Sequence, residues 1–341
     1  MKRTYLAALA LACSAAPAAA QNDIDTVCNG YGGEVRNRCV AVAQAVDAAQ
    51  PQLGILMAGG NPTLGTASTG GVRLGILPRV SAGARVNVVF ARLPDIRENG
   101  SGSGSYVPEK FSVPAPAVGA NVSLGVFPGI SVAPLIGGVG AVDLLGSVTV
   151  LPLSLAGVDG LENDAVSWGA GARVGLLRES FVTPGASVSL MYRKMGDVKF
   201  GEVCDTPADD CDGGDDVGEI EFGLSNWSAR GAVSKRFLGL GLTAGVGYDR
   251  FNTDASLAFR APSPPSQGFG GETVYRLDDV AVDNSRWSAF VNGSFTLLVA
   301  SLVAEAGWMQ GSDPITGFPS TSDFDAGEGT FFGSVGVRLS L

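Results

Sequence analysis

The sequence predicts an all-β chain: a transmembrane antiparallel β-barrel of about twelve strands, within a range of ten to fourteen, behind a short N-terminal helical segment. Three observations carry this. Apolar and polar residues alternate with period two through most of the chain. The connections between alternating segments are short and long by turns. Charged side chains keep to one parity of the strands, and the other parity is apolar.

The alternation marks strands at residues 52–59, 70–77, 82–92, 117–127, 130–150, 165–177, 181–200, 217–237, 240–259, 285–298, 300–310 and 327–341. A bulge is expected near Gly137 and Gly138. Short connections fall at 78–79, 128–129, 178–180, 238–239 and near Val299; long ones fall at 94–113, 152–164, 201–216, 260–284 and 311–326. The charge-free run 111–142 is too interrupted by Pro114, Pro116, Pro128 and Pro134 to be a membrane helix, and its two-fold pattern suits a barrel wall. The final strand shows the pattern most plainly. Phe331, Gly333, Val335, Val337, Leu339 and Leu341 share one face, and Phe332, Ser334, Gly336, Arg338 and Ser340 the other.

One parity carries Arg73, Arg85, Asn87, Asn121, Asp143, Arg173, Arg193, Asn226, Arg230, Arg236, Asn292, Glu305 and Arg338. The opposite parity carries Val86, Phe90, Val122, Leu124, Trp168, Leu190, Trp227, Phe295, Leu302 and Trp308. A charge facing lipid at the bilayer midplane costs about 2–4 kcal/mol, so the charged parity is expected to line the lumen. Trp168, Trp227, Trp287, Trp308, Tyr192 and Tyr248 fall near strand ends, as an interfacial girdle requires. The competing reading, aromatics in the core of a soluble β-sandwich, does not account for one continuous polar face.

Residues 1–20 have the form of a signal peptide: Lys2 and Arg3, a short apolar core, then Ala18, Ala19 and Ala20. Cys13 after Ala12 also permits a loose lipobox. The expected organisation is leader 1–20, a helical segment 21–50, and barrel 51–341. Val35, Cys39, Val42, Val46 and Ala49 recur at helical spacing and form one apolar stripe. That segment is expected to plug the lumen or contact its rim; a periplasmic tail is the alternative. The four remaining cysteines fall into close pairs, Cys28 with Cys39 and Cys204 with Cys211, read as two disulfides formed in an oxidising compartment.

Charged residues make up 16% of the chain, and the formal net charge is −10 before the basic leader is removed. An acidic chain is not a nucleic-acid partner. There is no histidine, so no Ser-His or Asp-His pair can be built and an enzyme is not expected. Asp143 and Glu305 are the candidate carboxylate pair of the lumen, with charge compensation for the arginines as the plainer reading. The acidic loop holding Asp205, Asp209, Asp210, Asp212, Asp215 and Asp216 has the oxygen chemistry for Ca²⁺ but not the EF-hand spacing. It is read either as a calcium site, the one cofactor expectation, or as a solvated loop kept compact by its disulfide.

With its leader, alternating strands, loop asymmetry and terminal strand, the whole mature chain resembles the outer-membrane β-barrel class of Gram-negative bacteria. It departs from that class in ending on Leu341 where an aromatic is usual. The N-terminal segment is loosely similar to that of the plugged fatty-acid transporter barrels. The resemblance implies an outer-membrane location, with membrane lipids, lipopolysaccharide and the barrel-assembly machinery as partners. Two functions are consistent with it. One is a narrow channel or plugged transporter for small or hydrophobic molecules, whose lumen arginines Arg73, Arg85, Arg173, Arg193, Arg230 and Arg338 would favour anions. The other is a non-conducting structural or adhesive barrel acting through its outer loops.

Overall fold

The computed structural model describes residues 27–70, 72–73, 77–94, 110–133, 137–152, 164–203, 218–263, 272–311, 324–325 and 327–340. Ten antiparallel strands close into a barrel. They are β1 (Val80–Pro94), β2 (Lys110–Phe127), β3 (Val142–Leu151), β4 (Ala165–Leu177), β5 (Gly185–Phe200), β6 (Gly218–Phe237), β7 (Leu240–Pro262), β8 (Glu272–Leu297), β9 (Ala300–Met309) and β10 (Thr330–Ser340). Each pairs with its neighbour in sequence, and β10 closes on β1 in the register Val335 to Val86 and Arg338 to Gly83. Closure leaves no free sheet edge, which a wall in lipid requires.

Ten of the twelve expected strands are present, at the low end of the range. The first two are not barrel strands. Residues 52–58 belong to a helix, α1 (Gly33–Ala58), and among the described residues at 70–78 there is a two-residue ladder, Val72–Arg73 against Leu77–Pro78. The expected strand at 130–150 begins at Val142; before it, Ile130 and Val139 make an isolated bridge. Pro114 and Pro116 sit inside β2, in a stretch paired with β1 but not with β3, whose ladder to β2 starts at Val118. Their missing N–H groups therefore cost no bond on that side.

The two parities separate as the pattern requires. Val86, Phe90, Val122, Trp168, Leu190, Trp227, Phe295, Leu302 and Trp308 are exposed on the outside. Toward the long loops the aromatics meet across neighbouring strands with their rings inclined to one another: Trp168 with Tyr192 at 5.9 Å, Tyr192 with Trp227 at 5.1 Å, and Tyr248 with Trp287 at 5.0 Å between ring centres. From this girdle to the short turns, the outward positions carry one charged side chain among the described residues. It is Lys235, at the turn edge, whose Nζ donates to the carbonyls of Ser180 and Phe181 at 2.9 and 2.7 Å. Eight residues of tilted strand at about 3.3 Å each span roughly 20 Å along the barrel axis, close to the height of an apolar band. Beyond the girdle the exterior turns charged, as in the exposed pair Arg250–Asp283 at 3.5 Å.

Two of the short turns are tipped by leucine. Leu238 and Leu298 have φ of 47° and 55°, the left-handed region, which costs a non-glycine residue roughly 1–2 kcal/mol. Both tips are exposed, as is Phe181 in the neighbouring turn.

Helix α1 lies inside the barrel. It contacts β1, β2, β3, β6, β7, β8 and β10, which surround it, and residues 38–52 and 54–58 are buried. Its N-terminal half is at the long-loop end, where Cys28, Cys39, Val42 and Val46 pack with Phe200, Ile220, Phe259, Ala261 and Val282. The chain then descends the lumen to Gly70 at the short-turn end and turns to begin β1. The helix thus runs beyond Gln50, the expected domain boundary, and the barrel begins at Val80.

Candidate functional site: the plugged lumen

The plug begins with a covalent tie. Cys28 and Cys39 are bonded, with Cα atoms 5.8 Å apart, and fasten the preceding segment onto the apolar stripe of α1. Tyr31 from that segment packs edge-on against Phe259 and Tyr275 at 6.1 and 5.5 Å. Farther in, Leu53 and Leu56 face Val89, Leu93, Val113, Ala115, Val198, Phe200, Ile220 and Phe222 of the wall around an apolar cavity of about 60 Å³.

Pro51 interrupts the helix ladder, since it has no N–H to offer the carbonyl of Asp47. The wall supplies the substitute. Asn284 Nδ2 donates to Asp47 O at 3.2 Å and to Asp47 Oδ1 at 2.8 Å. Gln52 Nε2 donates to Ala48 O at 2.8 Å and to Arg92 O at 2.7 Å, and Gln50 Nε2 to Val282 O at 2.7 Å.

The C-terminus of α1 is capped by the barrel. Asn87 Nδ2 donates to Leu56 O at 2.7 Å, Thr149 Oγ1 to Met57 O at 3.3 Å, and Arg85 to Ala58 O. These carbonyls are the ones a helix end leaves without partners, and a guanidinium there also meets the negative end of the helix dipole. Gly59 then takes φ 60°, and Gly60 passes so close to the wall that an added Cβ would lie 2.6 Å from Phe290 Cβ. Both positions need glycine, one for its backbone and one for space.

Glu305 receives the chain as it leaves the helix. Its two oxygens accept from Gly60 N at 2.7 Å and Asn61 N at 2.8 Å, and Asn292 Nδ2 donates to it at 2.5 Å. Arg230 Nε donates to Gly60 O at 3.1 Å while its Nη1 pairs with Asp249 Oδ2 at 2.9 Å, both side chains buried. Arg85 Nη1 donates to Asn61 O at 3.1 Å and Asn121 Nδ2 to Pro62 O at 2.9 Å; Arg338 donates to Leu64 O. At the bottom, Asp143 pairs with Arg173 at 2.6 Å and accepts from Gly70 N at 3.0 Å.

Of the expected lumen residues, Arg85, Asn87, Asp143, Arg173, Arg230, Glu305 and Arg338 converge on residues 56–70. Arg193 is buried in the wall against Ser228 and Met191. The side chain of Arg73 lies outside the described residues, as do Cys204, Cys211 and the six aspartates of the acidic loop. Arg85, Arg173, Arg230 and Arg338 spend their donors on plug carbonyls and buried carboxylates, so they do not line an open anion path. Asp143 and Glu305 hold different parts of the plug, at Gly70 and at Gly60–Asn61, and do not converge as a catalytic pair. The sequence reading did not single out Asp47, Pro51, Gly59, Gly60, Asn61 or Asn284. The signal for several of them is the run Ala58-Gly59-Gly60-Asn61-Pro62, a helix stop followed by uncharged polar residues ahead of the first wall strand.

A closed barrel, an uncharged apolar belt and an aromatic girdle decide the class. The chain is an outer-membrane β-barrel. That places it in the outer membrane of a Gram-negative bacterium. No protein-family model and no curated protein matches its sequence. Among solved structures, similar chains include the Escherichia coli outer membrane protease OmpT, at 14% identity and TM-score 0.36 over 77% of this chain and 96% of that one. The transport unit of the Escherichia coli autotransporter AIDA-I overlaps at 8% identity and TM-score 0.40, over 86% and 99% of the two chains. The translocator domain of NalP from Neisseria meningitidis overlaps at 12% identity and TM-score 0.33, over 77% and 88%. These overlaps are loose and carry no function to this barrel.

Proposed function

We propose that this barrel is a plugged transporter for small apolar molecules, closed at rest by its own residues 33–70. The observation that supports it is the change of character along the lumen. The outer half offers an apolar cavity between Leu53 and Leu56 of the helix and Val89, Val113, Val198, Phe200 and Phe222 of the wall. The inner half is a polar seal made by Glu305, Arg85, Arg230 and Arg338. An apolar solute enters such a chamber favourably and stops at the seal, which must shift to let it pass. No catalytic role enters this reading, and small ions are excluded at rest.

Planar-bilayer recording of the refolded protein tests it, with and without residues 21–70, alongside uptake of a small aromatic hydrocarbon into cells carrying either form. The expected result is no conductance for the intact chain, steady conductance after deletion, and hydrocarbon uptake by the intact chain above that of cells lacking it. Uptake no greater than in cells lacking the protein sinks the transport reading. It would favour the second one, a sealed structural or adhesive barrel, which the many bonds fixing the plug also suit.

A further inference from the structure

The short-turn mouth of the barrel holds a second cavity, about 520 Å³, on the far side of the seal from the apolar one. Its cationic lining is Arg79, Arg173, Arg178, Arg236 and Arg338, and the acidic side chain among its lining residues is Glu179. Three of the five arginines are committed: Arg173 to Asp143, Arg338 to Leu64 O and Ser301, and Arg178 to Pro128 O at 2.6 Å. Arg79 and Arg236 are exposed, and their side chains make no hydrogen bond or ion pair among the described residues. Free guanidinium groups facing one cavity call for an anion with several acceptor oxygens.

The rim of the same cavity is apolar. Phe181, Leu238, Leu298 and Val299 line it. Phe181 is 94% exposed and Leu298 92%, and Leu238 is fully exposed. Leu238 and Leu298 hold turn positions with positive φ, where asparagine or glycine is the less strained choice. Apolar side chains at such tips, next to water in the free protein, fit a partner that brings its own apolar surface.

From this pairing of free arginines with an apolar rim we infer that the mouth binds the headgroup of an anionic phospholipid from the inner leaflet, with phosphate oxygens on Arg79 and Arg236 and acyl chains against Leu238, Leu298 and Phe181. Short turns face the periplasm in outer-membrane barrels, and the phospholipid leaflet lies on that side. Free phosphate shares the headgroup chemistry but has no use for the rim, and this separates the two sources.

The test uses the full chain purified in mild detergent, with lipid retention followed by native mass spectrometry and phosphate binding by calorimetry. The probes are dioleoyl-phosphatidylglycerol, dioleoyl-phosphatidylcholine and inorganic phosphate. Phosphatidylglycerol should be held about tenfold more tightly than phosphatidylcholine, and the R79Q/R236Q variant should lose about tenfold in that affinity. The L238N/L298N variant keeps its turns, since asparagine accepts positive φ, and should weaken phosphatidylglycerol without changing phosphate binding. Equal retention of the two lipids, or an unchanged R79Q/R236Q variant, overturns the proposal. Phosphate bound as tightly as phosphatidylglycerol, with L238N/L298N silent, overturns the lipid in favour of a free anion. None of these outcomes depends on whether the barrel transports, because neither variant touches the plug's seal or the outer cavity.

Discussion

Above Asn87 the plug meets the barrel through Leu53, Leu56, Val89, Val198, Phe200 and Phe222; below it the contact is made by Arg85, Glu305, Arg230, Asn292 and Arg338. Apolar burial thus dominates the contact in the outer half, where the wall's hydrogen bonds reach a few helix positions such as Asp47, Gln50 and Gln52, and aimed hydrogen bonds dominate in the inner half. The contrast follows from the backbone. A helix satisfies its own N–H and C=O groups and can be buried among apolar side chains. The non-helical stretch from Gly59 to Gly70 cannot, and its buried carbonyls need donors from elsewhere, most of them from the wall and a few, as at Thr63 and Thr66, from the stretch itself. Arg85, Arg230, Glu305 and Arg338 therefore gather where the plug stops being helical, and their first task is to hold it; beside the helix itself, Arg286 pairs with Asp47 at 3.8 Å.

If that division is right, the two halves respond to different lesions. Glu305→Ala removes the acceptor for Gly60 N, Asn61 N and Asn292 together, in the same buried network that Arg85 enters through Asn61 O. Loss of one partner from a buried charged network costs about 3–5 kcal/mol. Amide exchange at residues 60–66 should accelerate most, and brief conductance openings should appear in bilayers. Leu56→Ala should cost about 2–5 kcal/mol through the cavity it leaves. Its effect should be confined to amides 47–56, with residues 60–61 still protected. If Leu56→Ala instead releases both halves equally, the plug is one cooperative unit and the comparison breaks.

The disulfide sharpens the same boundary from the other end. Cys28→Ala with Cys39→Ala opens a loop with a sequence separation of 11, and such a short loop is worth about 2–4 kcal/mol when closed. Exchange should rise at residues 28–40 and leave the network around Glu305 unchanged. Protection lost at Gly60 and Asn61 in that variant would show that the outer half transmits to the seal.

The barrel wall was legible from sequence because each strand repeats one rule: Val86 out and Arg85 in, Trp227 out and Asn226 in, Leu302 out and Ser301 in. Lipid on one side and a charged lumen on the other enforce that rule residue by residue. The first half of α1 was legible too, since its stripe of Val35, Cys39, Val42 and Val46 is amphipathic. Its second half was not. The whole helix from Arg38 is largely buried, but residues 53–58 carry no polar side chain, and a helix apolar all round loses its 3.6-residue period. Leu53-Gly54-Ile55 and Met57 then imitate an alternating strand. The seal was half visible: Glu305 and Arg85 stood out as lumen charges, but their partners are backbone atoms of residues 58–61, which carry no signal in the sequence.

The smallest effect gives the most specific check on how the wall supports the helix. Pro51 deprives Asp47 O of its helical donor, and Asn284 Nδ2 replaces it from β8 at 3.2 Å. Asn284→Leu should leave that buried carbonyl, and Asp47 Oδ1, without this donor, at about 1–3 kcal/mol. Pro51→Ala restores an N–H at the position that reaches Asp47 O, so the backbone part of the loss should vanish in the double variant while the part due to Asp47 Oδ1 remains. Measured as protection of amides 47–52, the double-mutant cycle should therefore show a coupling of about 1 kcal/mol in favour of the combined change. Additive losses would mean that Asn284 serves the Asp47 side chain alone and that the proline gap is not what the wall is filling.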